Sequence, residues 1–164
     1  IIEFLRGGES PVNRMVQAPD GSILAGCVGQ QQDALRTGLQ RLRDNGRPAF
    51  EMLAVRARPG GFEIEFTAPL AEGTGADPSA VRVERFRYVP TENYGGPKVD
   101  EQVIPVRGAA FAPGGRTRLR LNLPDLREGH VYHLRLHAPS FRSAAGDRPW
   151  TTEAWTTLNK IPEE

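Results

Sequence analysis

The sequence is poor in the residues that most often carry covalent or metal chemistry. One cysteine, Cys27, occurs in 164 residues, so the chain can form no internal disulfide and no thiolate metal cluster. No histidine with an orienting group can be placed beside it, and Cys27 reads as a partly buried strand thiol, not a nucleophile. Long apolar runs are missing too. None approaches the ~18 residues a spanning helix needs, which argues against membrane insertion. Charge of one sign is nowhere concentrated: 21 basic and 20 acidic groups leave a net charge of +1 and alternate along the strands. Without a basic stripe and interleaved aromatics, nucleic acid is not an expected partner. There is no internal repeat or low-complexity run. Nothing at Ile1 resembles a signal peptide, because Glu3 and Arg6 interrupt the apolar start. A first residue other than Met points to a mature or excised chain.

Turn formers are plentiful. Glycine and proline, 18 and 14 residues, approach a fifth of the chain, and hydrophobic residues make up 38%, lean but enough for a sandwich core. Two zones meet near Gly46-Arg47-Pro48. In the first, a strand from Val12, a Pro19-Asp20-Gly21-Ser22 turn and a strand Ile23 to Cys27 read as a hairpin. Residues 30–44 fit two patterns. Leu35, Leu39 and Leu42 followed by Asn45-Gly46 suit an amphipathic helix, whereas mid-pattern Gly38 and Leu39-Gln40-Arg41-Leu42-Arg43 suit a short strand.

The second zone predicts seven strands separated by turn signals. Phe50 to Ala57 is apolar enough to be buried on both sides, and Phe62-Glu63-Ile64-Glu65-Phe66 alternates without a break. Val81 to Tyr88 places Val81, Val83 and Phe86 or Tyr88 inward if a bulge lies near Arg85. Val99 to Val106, Leu119 to Leu123, Tyr132 to His137 and Ala154 to Leu158 complete the set. The stretch Leu126 to Leu136 is the most specific. Leu126, a turn containing Gly129, and Tyr132 lead into a strand whose Tyr132, Leu134 and Leu136 oppose His133, Arg135 and His137. This is how a β-sandwich corner reads when a tyrosine hydroxyl ties the turn to the strand.

Candidate chemistry is sparse. His130, His133 and His137 cluster in sequence, but His133 and His137 would stand ~13 Å apart on a strand, so they read as solvated outward side chains and not as metal ligands. Glu63 and Glu65 share a face ~6.5 Å apart, a spacing that acid–base catalysis can use. Arg118 and Arg120 on a neighbouring strand offer a simpler account, exposed cross-strand ion pairs. The Gly-Gly turns lack the strand-to-helix context of a phosphate cradle. The loop Tyr88 to Pro97, with Tyr88, Asn93 and Tyr94 ahead of Gly95-Gly96-Pro97, is the expected binding surface, because long loops carry recognition more often than cores do.

The order of several motifs resembles the C-terminal region of large secreted bacterial proteins built on a glucose/sorbosone dehydrogenase-like β-propeller, often fused to cytochrome c modules. The matching residues are Ser10-Pro11-Val12-Asn13-Arg14-Met15, Pro19-Asp20-Gly21-Ser22-Ile23-Leu24-Ala25-Gly26, Gly38-Leu39-Gln40-Arg41-Leu42, Phe50-Glu51-Met52-Leu53, Phe62 to Leu70, Tyr94-Gly95-Gly96-Pro97 and Thr156-Thr157-Leu158-Asn159. The resemblance implies a propeller-blade-like segment over 1–47, with a strand at Leu39 to Arg43. It implies an immunoglobulin/fibronectin type III-like β-sandwich over 48–164. Phe66-Thr67-Ala68-Pro69 and Ala145-Gly146-Asp147 are also similar to bacterial Ig-like modules. The family's pyrroloquinoline quinone, Ca²⁺ and haem c would belong to the parent protein, and no catalytic residue matches here. The expectation is a non-catalytic accessory module outside the cytoplasm, periplasmic or secreted. Its partner would be its own upstream propeller or, alternatively, a carbohydrate or another protein.

Overall fold

The computed structural model describes residues 2, 11–28, 38–92 and 95–163. The described residues form three antiparallel sheets in two compact units, Phe4–Pro48 and Ala49–Glu164 with Ile1–Glu3. In the first unit, β1 (Val12–Gln17), β2 (Ile23–Cys27) and β3 (Gly38–Leu42) form a meander in the order β1-β2-β3. The Asp20-Gly21 turn closes as the sequence predicts, with Asp20 accepting from the Ser22 amide and hydroxyl. The helix-or-strand ambiguity resolves to strand over Gly38–Leu42, paired to β2 from Cys27↔Gly38 to Ile23↔Leu42; Leu35 lies outside the described residues.

The second unit is a β-sandwich in which the chain changes sheets hairpin by hairpin. One sheet holds β4 (Met52–Arg58), β5 (Gly61–Phe66), β9 (Arg118–Asn122) and β8 (Gly108–Phe111) in the order β4-β5-β9-β8. The other holds β11 (Glu153–Leu158), β10 (His130–Leu136), β6 (Val81–Tyr88) and β7 (Lys98–Ile104) in the order β11-β10-β6-β7. This is the immunoglobulin-like arrangement, with one strand added beside β6. Between the sheets Phe62, Ile64, Leu119, Leu121, Val81, Val83, Leu134 and Leu136 form the core, the alternate residues that period-2 strands turn to one side.

Several expectations need correction. Among the described residues the sandwich has eight strands, not seven. The unpredicted β8 reads Gly108-Ala109-Ala110-Phe111 and carries little strand propensity of its own, but Ala109 and Phe111 fall opposite Leu121 and Leu119 and extend the core. Leu53 is 59% exposed, so β4 is not buried on both sides; the register shifts between Met52 and Ala54 and turns Leu53 out. Ile2, which the sequence reading assigns to the 1–47 segment, bridges to Ala154 and packs on the sandwich core.

The bulge in β6 occurs between Arg85 and Arg87, but only against β7. Against β10 the register runs unbroken from Val131↔Phe86 to Leu136↔Val81. Parity therefore keeps Arg85 on the inward side with Val81 and Val83, and turns Phe86 outward. Both are buried, at 1% and 2% exposure.

The corner forms as the sequence predicts. Tyr132 is fully buried, its ring 5.0 Å from that of Phe62, and its hydroxyl accepts the Arg127 amide at 2.7 Å. Gly129 has φ 72°, a conformation that costs glycine little, and Leu126 packs against the core. Removing the hydroxyl by Tyr132→Phe is expected to cost about 0.5–3 kcal/mol, since the Arg127 amide loses its acceptor. Leu121→Ala should cost about 2–5 kcal/mol. Chemical denaturation of the full chain measures both, and a Tyr132→Phe protein as stable as the parent would separate the hydroxyl from the corner's stability.

Candidate functional site

The two outer faces of the sandwich differ in chemistry. On β4-β5-β9-β8 the outward side is rich in charge, and registers place Glu63 opposite both Arg56 and Arg120, and Glu65 opposite Arg118. The cross-strand neighbours are those the sequence predicts. Their exposure is not. Glu63 is 1% exposed, because Arg58 donates to its Oε1 at 2.9 Å and Arg120 to its Oε2 at 3.1 Å, roofing the carboxylate with guanidinium groups. Those groups are 41% and 55% exposed, so water still lies close to the pair. Glu65 pairs with Arg56, and Arg118 donates to the Pro113 carbonyl. The close β5–β9 approach requires Gly61, since a Cβ there would stand 1.8 Å from the Leu121 carbonyl oxygen.

The Arg58 hydrogen bond chiefly, with Arg120 helping, holds the Glu63 carboxyl below its ordinary value of 4.5 against burial, which pushes it up. A carboxylate whose folded value is depressed contributes stability that is complete above its unfolded value and is lost as pH falls through the folded one. Glu63→Gln should therefore destabilise the chain at neutral pH by about 1–2 kcal/mol, the exposed guanidinium groups being partly screened. That difference should shrink as pH falls below about 4. Denaturant midpoints of both proteins across that range measure it, and a pH-independent difference would dissociate the effect from the carboxylate charge.

The outer face of β11-β10-β6-β7 combines charge with aromatic rings. His133, expected in solvent, is 5% exposed. Its ring stacks on Trp155 at 4.4 Å and 14°, across the His133↔Trp155 register. Its Nε2 is 3.1 Å from Glu153 Oε2, and its Nδ1 is 3.6 Å from Glu84 Oε2. Arg82 and Arg135 bind Glu84 from the same face, and Arg82 chiefly holds that carboxyl below its ordinary value. The other histidines stand apart. His130 Nδ1 is 2.8 Å from the Glu128 carbonyl, and His137 Nδ1 is 2.9 Å from Ser140 Oγ. Among the described residues no three His, Cys, Asp or Glu side chains are grouped to hold a metal.

Farther along this face Phe86 lies edge-on to Tyr88 at 5.3 Å, with the Lys98 ammonium 4.3 Å from its ring centre. Tyr88 is 53% exposed and Val103 49%. The Tyr88–Pro97 loop leaves from this edge. The Val89 amide donates to the Pro97 carbonyl at 3.3 Å, and Thr91 Oγ1 to the Gly95 carbonyl at 2.8 Å. Only glycine fits at Gly96, where a Cβ would come within 1.9 Å of the Val89 carbonyl oxygen. Asn93 and Tyr94 lie outside the described residues. Of the predicted binding residues, the structure therefore places Tyr88 alone, on a face whose other members (Phe86, Lys98, His133 and Trp155) were not among the expected binding residues. Outward parity with Tyr88 was the signal that joins Phe86 to it.

No family model matches the chain, and no curated protein matches it. Solved structures do. The N-terminal part of the bacterial S-layer protein SbsC is similar with a TM-score of 0.51 at 19% identity, over 69% of this chain and 24% of that one. A structure of the S-layer protein rSbsC(31-844) gives a TM-score of 0.52 at 18% identity, over 70% of this chain and 14% of that one. At such identity the likeness shows a shared β fold, and this chain spans under a quarter of either protein.

The aromatic face separates support from contact. Phe86→Ala should cost about 3 kcal/mol, as truncation of a buried ring does, while Tyr88→Ala should stay within about 0.5–1 kcal/mol of the parent. Thermal or denaturant unfolding reads both, and equal losses would make Tyr88 part of the packing and not a free surface.

Proposed function

We propose that this chain is a non-catalytic accessory module of a secreted or periplasmic protein: an interaction β-sandwich carried with a propeller-type scaffold similar to the quinoprotein sugar dehydrogenases. The observation that carries the non-catalytic part is how the polar groups are used. Glu63 is engaged by two arginines, His133 by two carboxylates and an indole, and Tyr132 by a backbone amide. Groups engaged in this way stabilise the fold, and no nucleophile, base and oxyanion donor converge among the described residues.

The propeller part is supported by the first unit. Its sheet exposes Val16 and Leu39 on one face and Met15 on the other, at 61%, 70% and 64%. A blade stacked between neighbouring blades presents apolar residues on both faces in this way. The cofactors of that family would lie elsewhere in the parent. Cys27 is the one cysteine, so this sequence contains no paired haem-attachment cysteines. An extracellular place agrees with the S-layer folds it resembles, and no described helix is long and apolar enough to cross a membrane. A second reading, a carbohydrate- or protein-binding module, is favoured by the half-exposed Tyr88 at the mouth of its loop.

The reading frame upstream of Ile1 separates these readings. A propeller with Cys-x-x-Cys-His motifs supports the accessory module, and a lone sandwich behind a signal peptide overturns it. A glycan screen of the full chain with and without Tyr88→Ala tests the second reading. Binding that the substitution abolishes supports it, and absence of any binding refutes the carbohydrate form.

A further inference from the structure

Exposed stretch 43–49 joins the three-stranded sheet to the sandwich and contains Asn45-Gly46, free of regular secondary structure. Two hydrogen bonds there have a chemical consequence. The Gly46 amide donates to Asp44 Oδ1 at 2.9 Å, and the Arg47 amide donates to Asn45 Oδ1 at 2.9 Å. We propose that Asn45 is a self-modification site, where the chain cyclises through the Gly46 nitrogen to a succinimide and opens to aspartate and isoaspartate.

The step balances with groups already in place. The Asp44 carboxylate takes the Gly46 N–H proton, and the Gly46 nitrogen attacks Asn45 Cγ, forming the ring C–N bond. Negative charge develops on Oδ1, where the Arg47 N–H already donates, as an oxyanion donor does. Collapse breaks the Cγ–Nδ2 bond, and the amide leaves as ammonia with the proton that Asp44 returns. Water then opens the ring at either carbonyl. Opening at one gives aspartate; opening at the other reroutes the main chain through the side-chain carboxyl. Gly46 has no Cβ to hinder the approach and sits at φ 71°, accessible to glycine at little cost.

Comparable positions lack this arrangement. At Asp20-Gly21 the Gly21 amide donates to the Ala18 carbonyl at 2.9 Å, and Ser22 and Arg41 occupy the carboxylate. The Ser22 hydroxyl chiefly keeps that carboxyl below the usual range, in the ionised form that resists attack. Asn122 lies within β9, and the next amide, Leu123, is committed to the Gly60 carbonyl at 2.9 Å.

The test incubates the full chain at physiological temperature and mildly alkaline pH. Peptide mass spectrometry follows conversion at each asparagine, and protein isoaspartyl methyltransferase labelling counts isoaspartate. A free peptide of residues 41–49 serves as the unstructured reference. Asn45 is expected to convert faster in the folded chain than in that peptide, and faster than Asn13, Asn122 or Asn159. Asn45→Gln should remove the product. Asp44→Ala should slow it at least about a hundredfold, the lower end of what a positioned base contributes. Conversion in the folded chain slower than in the peptide would overturn the proposal, as would an unchanged rate in Asp44→Ala.

Discussion

The sandwich depends on the corner between β9 and β10, where the chain leaves one sheet and enters the other. Two buried polar groups hold it. The Tyr132 hydroxyl takes the Arg127 amide, and the Arg85 guanidinium, 1% exposed, donates to the Asp125 carbonyl and to Gln102 Oε1, each at 2.6 Å. Asp125 adopts φ 57°, unusual for a residue with a Cβ, so its backbone needs the clamp that Arg85 supplies. An arginine buried without partners would be costly. Here its terminal nitrogens meet a carbonyl, a carboxylate and an amide oxygen, and only Nε lacks an acceptor among the described residues. One cation thus fastens β6, β7 and the corner to each other.

The corner also explains why the outer faces could diverge. Parity fixed by Tyr132, Leu134 and Leu136 sends Val131, His133 and Arg135 outward together, and β6 and β11 follow in register. The opposite sheet turns out arginines and glutamates. Ion pairs of that kind add little when solvated, but Glu63 shows that a cross-strand pair can become buried by the length of its own partners. An arginine stem covers apolar surface while its head stays wet, and two such stems flanking one glutamate close over it.

The sequence carried most of the strands, the corner and the place of the bulge in β6, because each is a local pattern of alternation or turn chemistry; the bulge does not bring Phe86 or Tyr88 inward, since it is made against β7 alone. It did not carry what neighbouring strands do to an outward residue. His133 reads as solvated by its own strand and is covered because Trp155 stands opposite on β11, in a register that sequence spacing does not reveal. Arg85 reads as a bulge position, yet counting by two from Val81 and Val83 leads to it, and the unbroken register against β10 keeps it inward. β8 had no pattern to find, since Gly-Ala-Ala is strand-forming here only through its partner β9. In the candidate binding loop, the Val89 carbonyl lies so close to Gly96 that a Cβ would not fit there.

His133 brings the functional argument to its last step. Two carboxylates and an indole surround it, and a histidine in such company would ordinarily mark an active site. A general base must reach a substrate proton within hydrogen-bond distance. One face of this ring is against Trp155, Nε2 meets Glu153, Nδ1 faces Glu84, and 5% of the residue remains accessible. A substrate could reach it only by displacing the indole and breaking the carboxylate contact, both made by β11. That arrangement suits a side chain that cements an edge strand to its sheet. The Tyr88 ring farther along the face, by contrast, is half-exposed.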